Sequence, residues 1–184
     1  MQPRDGGLHC RVIGNVLPRG VCGSGLVAAA AAALDLGLIR PDGRLADGGV
    51  DLPLAPPVKL TQKDIRELQL AKGAIAAGLT LLLRQWGAEP SDLEALHLAG
   101  AFGNYINLPS AHRIGLFDCP PDKVRAGGNT ALLGTKMALF GDDEETDYRA
   151  LRQRVTHVPL AADPQFQAVF VKAVGFPEPD AGAD

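Results

Sequence analysis

The stretch Leu98–Ile106, LAGAFGNYI, governs how the rest of the chain is read. An apolar run stops at Gly100. A second glycine stands at Gly103, Ala101 and Phe102 lie between the two, and Asn104 and Tyr105 follow. In an open α/β sheet, ligands bind beyond the carboxyl ends of the strands, where the loops diverge. Glycines placed there let a ligand approach the main chain closely and let backbone amides point at it. Asn104 can then hydrogen-bond a base or a ribose edge, and Phe102 or Tyr105 can wall a pocket. The same residues also suit a tight strand-to-helix turn with Asn in a left-handed conformation. On these residues alone the plainer reading stands slightly ahead.

Working outward, the residues before Gly100 (DLEALHLAG) read as a buried strand, and PSAHRIGLF after it as a short helix with Pro109 in its first turn. KVRAGG is a second short strand. NTALLGTKMALF is a helix with Asn129 as its N-cap, and Ala131, Gly134 and Ala138 form a small-residue face suited to close packing. Upstream, the clearest helix is expected from Thr61 to about Trp86. Thr61 is its N-cap, Asp64 lies in its first turn, and Gly87 stops it. Its apolar stripe runs through Ile65, Leu68, Ile75, Leu79, Leu82 and Trp86, with Lys72 occupying one place in the stripe. The opening Leu8–Leu17 has strand character with a turn at Gly14–Asn15. A helix is expected from an N-cap at Ser24 to a stop at Gly37, and residues 40–59 form a loop region with short strands. Beyond the acidic loop GDDEETD, the expectation is a helix through YRALRQRV, a strand THVPL, a helix PQFQAVFVKAVGF and a disordered tail from 177 to 184. Alternating strands and helices make this an α/β chain, with 1–184 as a single domain unit.

Composition narrows the classes. The chain has 184 residues, 46% of them apolar and 21% charged, which fits a soluble globular protein. A net charge of -3, without a basic tract, removes the electrostatic case for nucleic acid. No apolar stretch approaches the ~20 residues of a membrane span. Cys10, Cys22 and Cys119 are odd in number and far apart, which argues against a disulfide framework and for a reducing cytoplasm. Neither metal-ligand spacing nor a phosphate-binding G-x-x-x-x-G-K-[ST] loop occurs.

Other candidates stand beside the LAGAFGN segment. GVCGSGL places Gly23, Ser24 and Gly25 at a helix start, a position that favours anions, and Gly23–Ala28 matches the G-x-G-x-x-A dinucleotide fingerprint. That fingerprint needs a strand running into its first glycine, and Pro18-Arg19-Gly20 interrupts here. A glycine-rich helix start packed on a sheet explains it equally well. Cys22, near that helix start, reads better as a small buried thiol than as a nucleophile. Lys72, with Gln69 three residues earlier, either edges a site or snorkels at a rim; the two are comparable.

Taken in order, GVCGSGL, LTQKDIRELQLAKGAIAAG, LHLAGAFGNYIN, HRIGLF and GGNTALLGTKMAL resemble the C-terminal region of the RACo-like reductive activators of corrinoid proteins, members of the acetate kinase, sugar kinase, Hsp70 and actin (ASKHA) superfamily. The likeness covers about residues 8 to 175. It implies the C-terminal portion of an actin-like, ribonuclease H-like ATPase domain, in which LAGAFGN matches the adenosine motif. Gly100, Ala101, Phe102, Gly103 and Asn104 would then lie against the adenosine of ATP, with Mg²⁺ accompanying the phosphates. Gln69, Lys72, Gly23, Ser24 and Gly25 become family-like positions of unassigned role. The family's D-x-G-T phosphate segments and its ferredoxin-like [2Fe–2S] domain do not occur in these residues, so the chain looks like the last third of an activator, truncated or split. The activity implied is ATP-driven reduction of cob(II)amide to cob(I)amide in a corrinoid protein partner, which this piece alone would not complete. Exposed half-interfaces would favour self-association, including a homodimer. Two other classes stand against it: a nicotinamide-dependent oxidoreductase using GSGLVA, and a non-catalytic interaction module.

Overall fold

The computed structural model describes residues 2–4, 7–140 and 145–178. Its first half runs β1 (Gln2–Arg4), β2 (Gly7–His9), α1 (Gly23–Asp35), β3 (Asp51–Ala55), β4 (Val58–Thr61) and α2 (Gln62–Trp86). Its second half runs β5 (Leu96–Ala99), α3 (Gly100–Tyr105), α4 (Leu108–Arg113), β6 (Val124–Gly128), α5 (Thr130–Phe140), α6 (Glu145–Arg154) and α7 (Phe166–Val174).

The sequence of α2 closes both of its ends as expected. The Asp64 backbone N–H donates to Thr61 Oγ1 at 3.2 Å, and the Thr61 N–H donates back to the Asp64 carboxylate at 2.7 Å, a complete capping box. Gly87, at φ 73°, takes the left-handed conformation that ends the helix. The buried face keeps Ile65, Leu68 and Lys72 of the expected stripe but departs from it further along the helix. Ile75, Leu82 and Trp86 are exposed, while Ile65, Gln69, Gly73, Ala77 and Leu81 form a buried row four residues apart. The reason is α7, which lies so close that a Cβ on Gly73 would sit 3.2 Å from Val174 Cα. A small-residue i, i+4 ridge permits that approach where leucines would prevent it.

The core gathers around α1, whose residues Val27–Leu34 are all buried. Ile39, Leu60, Ile65, Ile114 and Phe117 pack into the same cluster. Cys22, not Ser24, is the N-cap of α1, and Gly37 at φ 67° follows its end. Arg113 Nε donates to Asp35 at 2.6 Å, tying α4 to the end of α1. β3 and β4 form an antiparallel hairpin that leads into α2.

β5 and β6 form a parallel pair, Leu96 opposite Val124 and Leu98 opposite Ala126, and the register slips where Ala99 meets Gly128. Several expectations change here. β5 is only half covered, with His97 and Ala99 exposed, because among the described residues it has a single strand neighbour. The opening strand stops at His9; Gly14 and Asn15 do turn, at φ 78° and 50°, but within a short 3-10 segment. THVPL joins no sheet and leads into a 3-10 turn at Leu160–Ala162. No residue of α5 is buried, and a Cβ on Gly134 would meet nothing within 4 Å, so its small face packs on no described residue. Of the expected tail, Pro177 is held through its carbonyl by Arg113 at 3.0 Å, and residues 179–184 lie outside the described part. No described helix is long and apolar enough to cross a membrane.

Candidate functional site

β5 delivers the chain to Gly100, and α3 begins there without an intervening loop. Gly100 has φ 89°, a conformation L side chains rarely adopt, and nothing lies within 4 Å of where its Cβ would be. The main chain is therefore bare and open on that side. Gly103 has a different cause. A Cβ there would lie 2.7 Å from the Leu98 carbonyl oxygen, so this buried glycine lets α3 fold back on the strand that precedes it. Asn104 lies within α3, not in the left-handed conformation, and it is exposed, as is Tyr105.

β6 brings a second glycine pair to the same end of the sheet. Gly128, at φ 68°, is close enough to Asn104 that its Cβ would lie 3.7 Å from the Asn104 amide oxygen. Asn129 then caps α5, accepting the Leu132 N–H at 3.1 Å. Two parallel carboxyl ends thus meet at one place, with an open glycine, an exposed amide and a helix N-terminus. This is the arrangement that takes ligands in open α/β sheets. Ala101 and Phe102 belong to the same short helix.

The remaining predicted residues lie in other surroundings. Gly23, Ser24 and Gly25 open α1, whose preceding residues 16–22 are not a strand, so the dinucleotide fingerprint lacks its context. Cys22 is exposed rather than buried. The Ser24 hydroxyl first, then the Gly25 N–H, lowers its pKa below the ordinary thiol value. Gln69 is sealed beneath the turn at Gly43, where any side chain would overlap its amide; its Oε1 accepts from Arg66 at 2.8 Å, and its Nε2 finds no partner among the described residues. Lys72 is 2% exposed, donates to the Gly175 carbonyl and lies 5.4 Å from the centre of the Phe176 ring. Desolvation brings its pKa down to about 8.

Lys72 also lines a cavity of about 620 Å³ between α2, the α4–β6 connection and the C-terminal arm, residues 172–178. Neither Gly100–Asn104 nor Gly23–Gly25 lines it. One pointer to this cavity was legible in the sequence, the lysine among apolar residues. Its other walls come from segments a hundred residues apart, and no local pattern joins them.

Comparison with known proteins agrees with this architecture. Residues 1–183 match the family described as the C-terminal domain of RACo, the ASKHA domain. The corrinoid activation enzyme RamQ of Eubacterium limosum is 36% identical over 91% of this chain and 33% of its own length. The [Co(II) methylated amine-specific corrinoid protein] reductase of Methanosarcina barkeri is 30% identical over 83% of the chain and 28% of its own. Among solved structures, a reductive activator for a corrinoid, iron–sulfur protein superposes with a TM-score of 0.82 at 25% identity, over 97% of this chain and 33% of that one. The chain thus spans about a third of the length of the relatives it matches. It belongs to the family of C-terminal ASKHA domains of RACo-type corrinoid activators.

Proposed function

We propose that this chain forms the adenosine side of the ATP site in a reductive activator of corrinoid proteins, with Gly100–Asn104 against the nucleoside. The observation that carries this is the junction of β5 and α3: an open Gly100 at φ 89° and an exposed Asn104 beside Gly128. A nucleoside fits there, since its base needs a flat approach to main chain and its ribose needs a hydrogen-bonding amide. The residues do not fit a metal by themselves. No group of three His, Cys, Asp or Glu side chains that could hold one occurs among the described residues. Mg²⁺ and the phosphates would accordingly take their ligands from outside these residues. So would a [2Fe–2S] cluster, because Cys10, Cys22 and Cys119 lie free on three separate segments.

In the complete activator, ATP would supply free energy for the uphill one-electron reduction of cob(II)amide to cob(I)amide, through domain closure that favours one docked state. The part played by this chain is to hold and orient adenosine, and to present α5 and α6 to the rest of the protein. Leu132, Leu133, Met137, Leu139 and Phe140 are all more than half exposed, an apolar surface that a soluble protein normally covers. The threefold greater length of the relatives supports further protein as its cover. The free cysteines suit a reducing compartment such as the cytoplasm.

Calorimetric titration of ATP into the chain tests the proposal. Saturable binding is expected, weakened about tenfold or more, roughly 1.4 kcal/mol, by Gly100→Val. The chain alone should neither turn ATP over steadily nor reduce cob(II)amide; robust activity would defeat the half-site reading. Tight NADH binding without response to ATP would favour the oxidoreductase, and no nucleotide binding at all the interaction module.

A further inference from the structure

We propose that the cavity between α2, the α4–β6 connection and the C-terminal arm is a ligand site of its own, built for a small molecule with an apolar body and one carboxylate. Its volume of about 620 Å³ lies in the range of small-molecule pockets. Ala76, Leu79 and Leu83 of α2 form one wall, and Phe117 and Phe176 contribute the opposite one. The recessed charge is positive. Among the described residues Lys72 has only a carbonyl and an aromatic ring as partners, and none of their ion pairs includes it.

An ammonium carries three donors, and a buried one without a counter-charge is costly. A carboxylate reaching Lys72 would provide that counter-charge. The other charged lining groups do not substitute. Asp118, Glu178 and Lys172 are exposed, and the Arg113 guanidinium is engaged by Asp35 and the Pro177 carbonyl. Gly115 keeps space beside the ammonium, because a Cβ there would lie 3.3 Å from Lys72 Nζ and 2.9 Å from Pro177 Cγ. A single recessed ammonium suits a single negative charge; a phosphate would want more donors.

The probe is sodium octanoate, titrated calorimetrically against the whole chain, with 1-octanol as its uncharged counterpart. Octanoate should bind saturably with one site and at least tenfold more tightly than octanol. Lys72→Met should weaken octanoate at least tenfold, and Lys72→Arg by threefold or less. Should Lys72→Met fail to fold, Ala76→Phe fills the cavity while keeping the lysine and should abolish binding. Equal binding of octanol and octanoate, an unaffected Lys72→Met, a fully competent Ala76→Phe, or no saturable binding up to the solubility limit would each overturn the site. This inference is independent of the nucleotide reading: Gly100→Val should leave octanoate affinity unchanged.

Discussion

Helices α1 and α5 are both mostly apolar. One reads GSGLVAAAAAALD and the other TALLGTKMALF, and each carries a single charged residue. Yet Val27–Leu34 are buried without a gap, while α5 buries nothing and leaves Met137 62% and Phe140 78% exposed. Apolar composition permits a helix to be buried; its neighbours decide whether it is. α1 has α2, α3 and α4 around it, whereas α5 leads away from the edge of a two-stranded sheet. The protein therefore has a finished side and an unfinished one, and the β5–β6 carboxyl ends lie where the two meet.

The sharpest way to break this contrast is the same substitution on both sides. Ala33→Asp places a carboxylate where the side chain is 0% exposed and should cost about 4 kcal/mol or more, enough to prevent folding. Ala138→Asp on α5 should change stability by no more than about 0.5 kcal/mol in urea denaturation. Equal losses would show that α5 is covered after all.

A second pair sharpens it within one loop. Gly103→Ala drives a methyl against the Leu98 carbonyl and should cost roughly 2–3 kcal/mol. Gly100→Ala meets open space and should cost only about 1 kcal/mol, from its positive φ. Chemical denaturation of both variants measures the order, and a reversal would mean the glycines have been assigned the wrong causes.

The charge in the core offers a third test. Lys72 has a folded pKa lowered to about 8, so between that value and the ordinary lysine range the unfolded chain binds more protons. Its contribution to stability should therefore rise as pH climbs from about 8 to 10, by something on the order of 1–3 kcal/mol. Comparing Lys72→Met with the parent across that window isolates the effect; identical slopes would mean the ammonium is not desolvated.

The smallest effect concerns the start of α2. Thr61→Ala removes the hydroxyl that accepts the Asp64 N–H and should cost about 1 kcal/mol. The Thr61 backbone N–H first, then its hydroxyl, holds the Asp64 pKa below the usual carboxylate value. That contribution is present above about pH 4 and lost as pH falls through the lower folded value, and Asp64→Asn should flatten the acid limb of a stability–pH curve.

Much of this was readable beforehand, and for a physical reason. Caps, stops and short helices are written in neighbouring residues, so Thr61, Asp64, Gly87, Pro109 and Asn129 all lie where local chemistry puts them. Apart from the cap of α1, which is Cys22 and not Ser24, the main departures depend on residues distant in sequence. The buried row of α2 is Gln69, Gly73 and Ala77 because α7, a hundred residues later, comes close to Gly73. THVPL has strand-forming residues but finds no strand to pair with among the described residues. The candidate site divides likewise: the β5 end was legible from LAGAFGN, and GGN marked the end of β6, but their meeting through Asn104 and Gly128 follows from parallel pairing alone.

The most direct test maps the nucleoside on the protein itself. Backbone amide NMR shifts would be followed on a ¹⁵N-labelled chain as ATP is added to millimolar concentration. Shifts clustered at Gly100–Asn104 and Gly127–Asn129, with the Gly23–Gly25 amides and those lining the Lys72 cavity unmoved, are the expected result. Shifts centred on α1 or on that cavity, or none at all, would contradict an adenosine site at the carboxyl ends of β5 and β6.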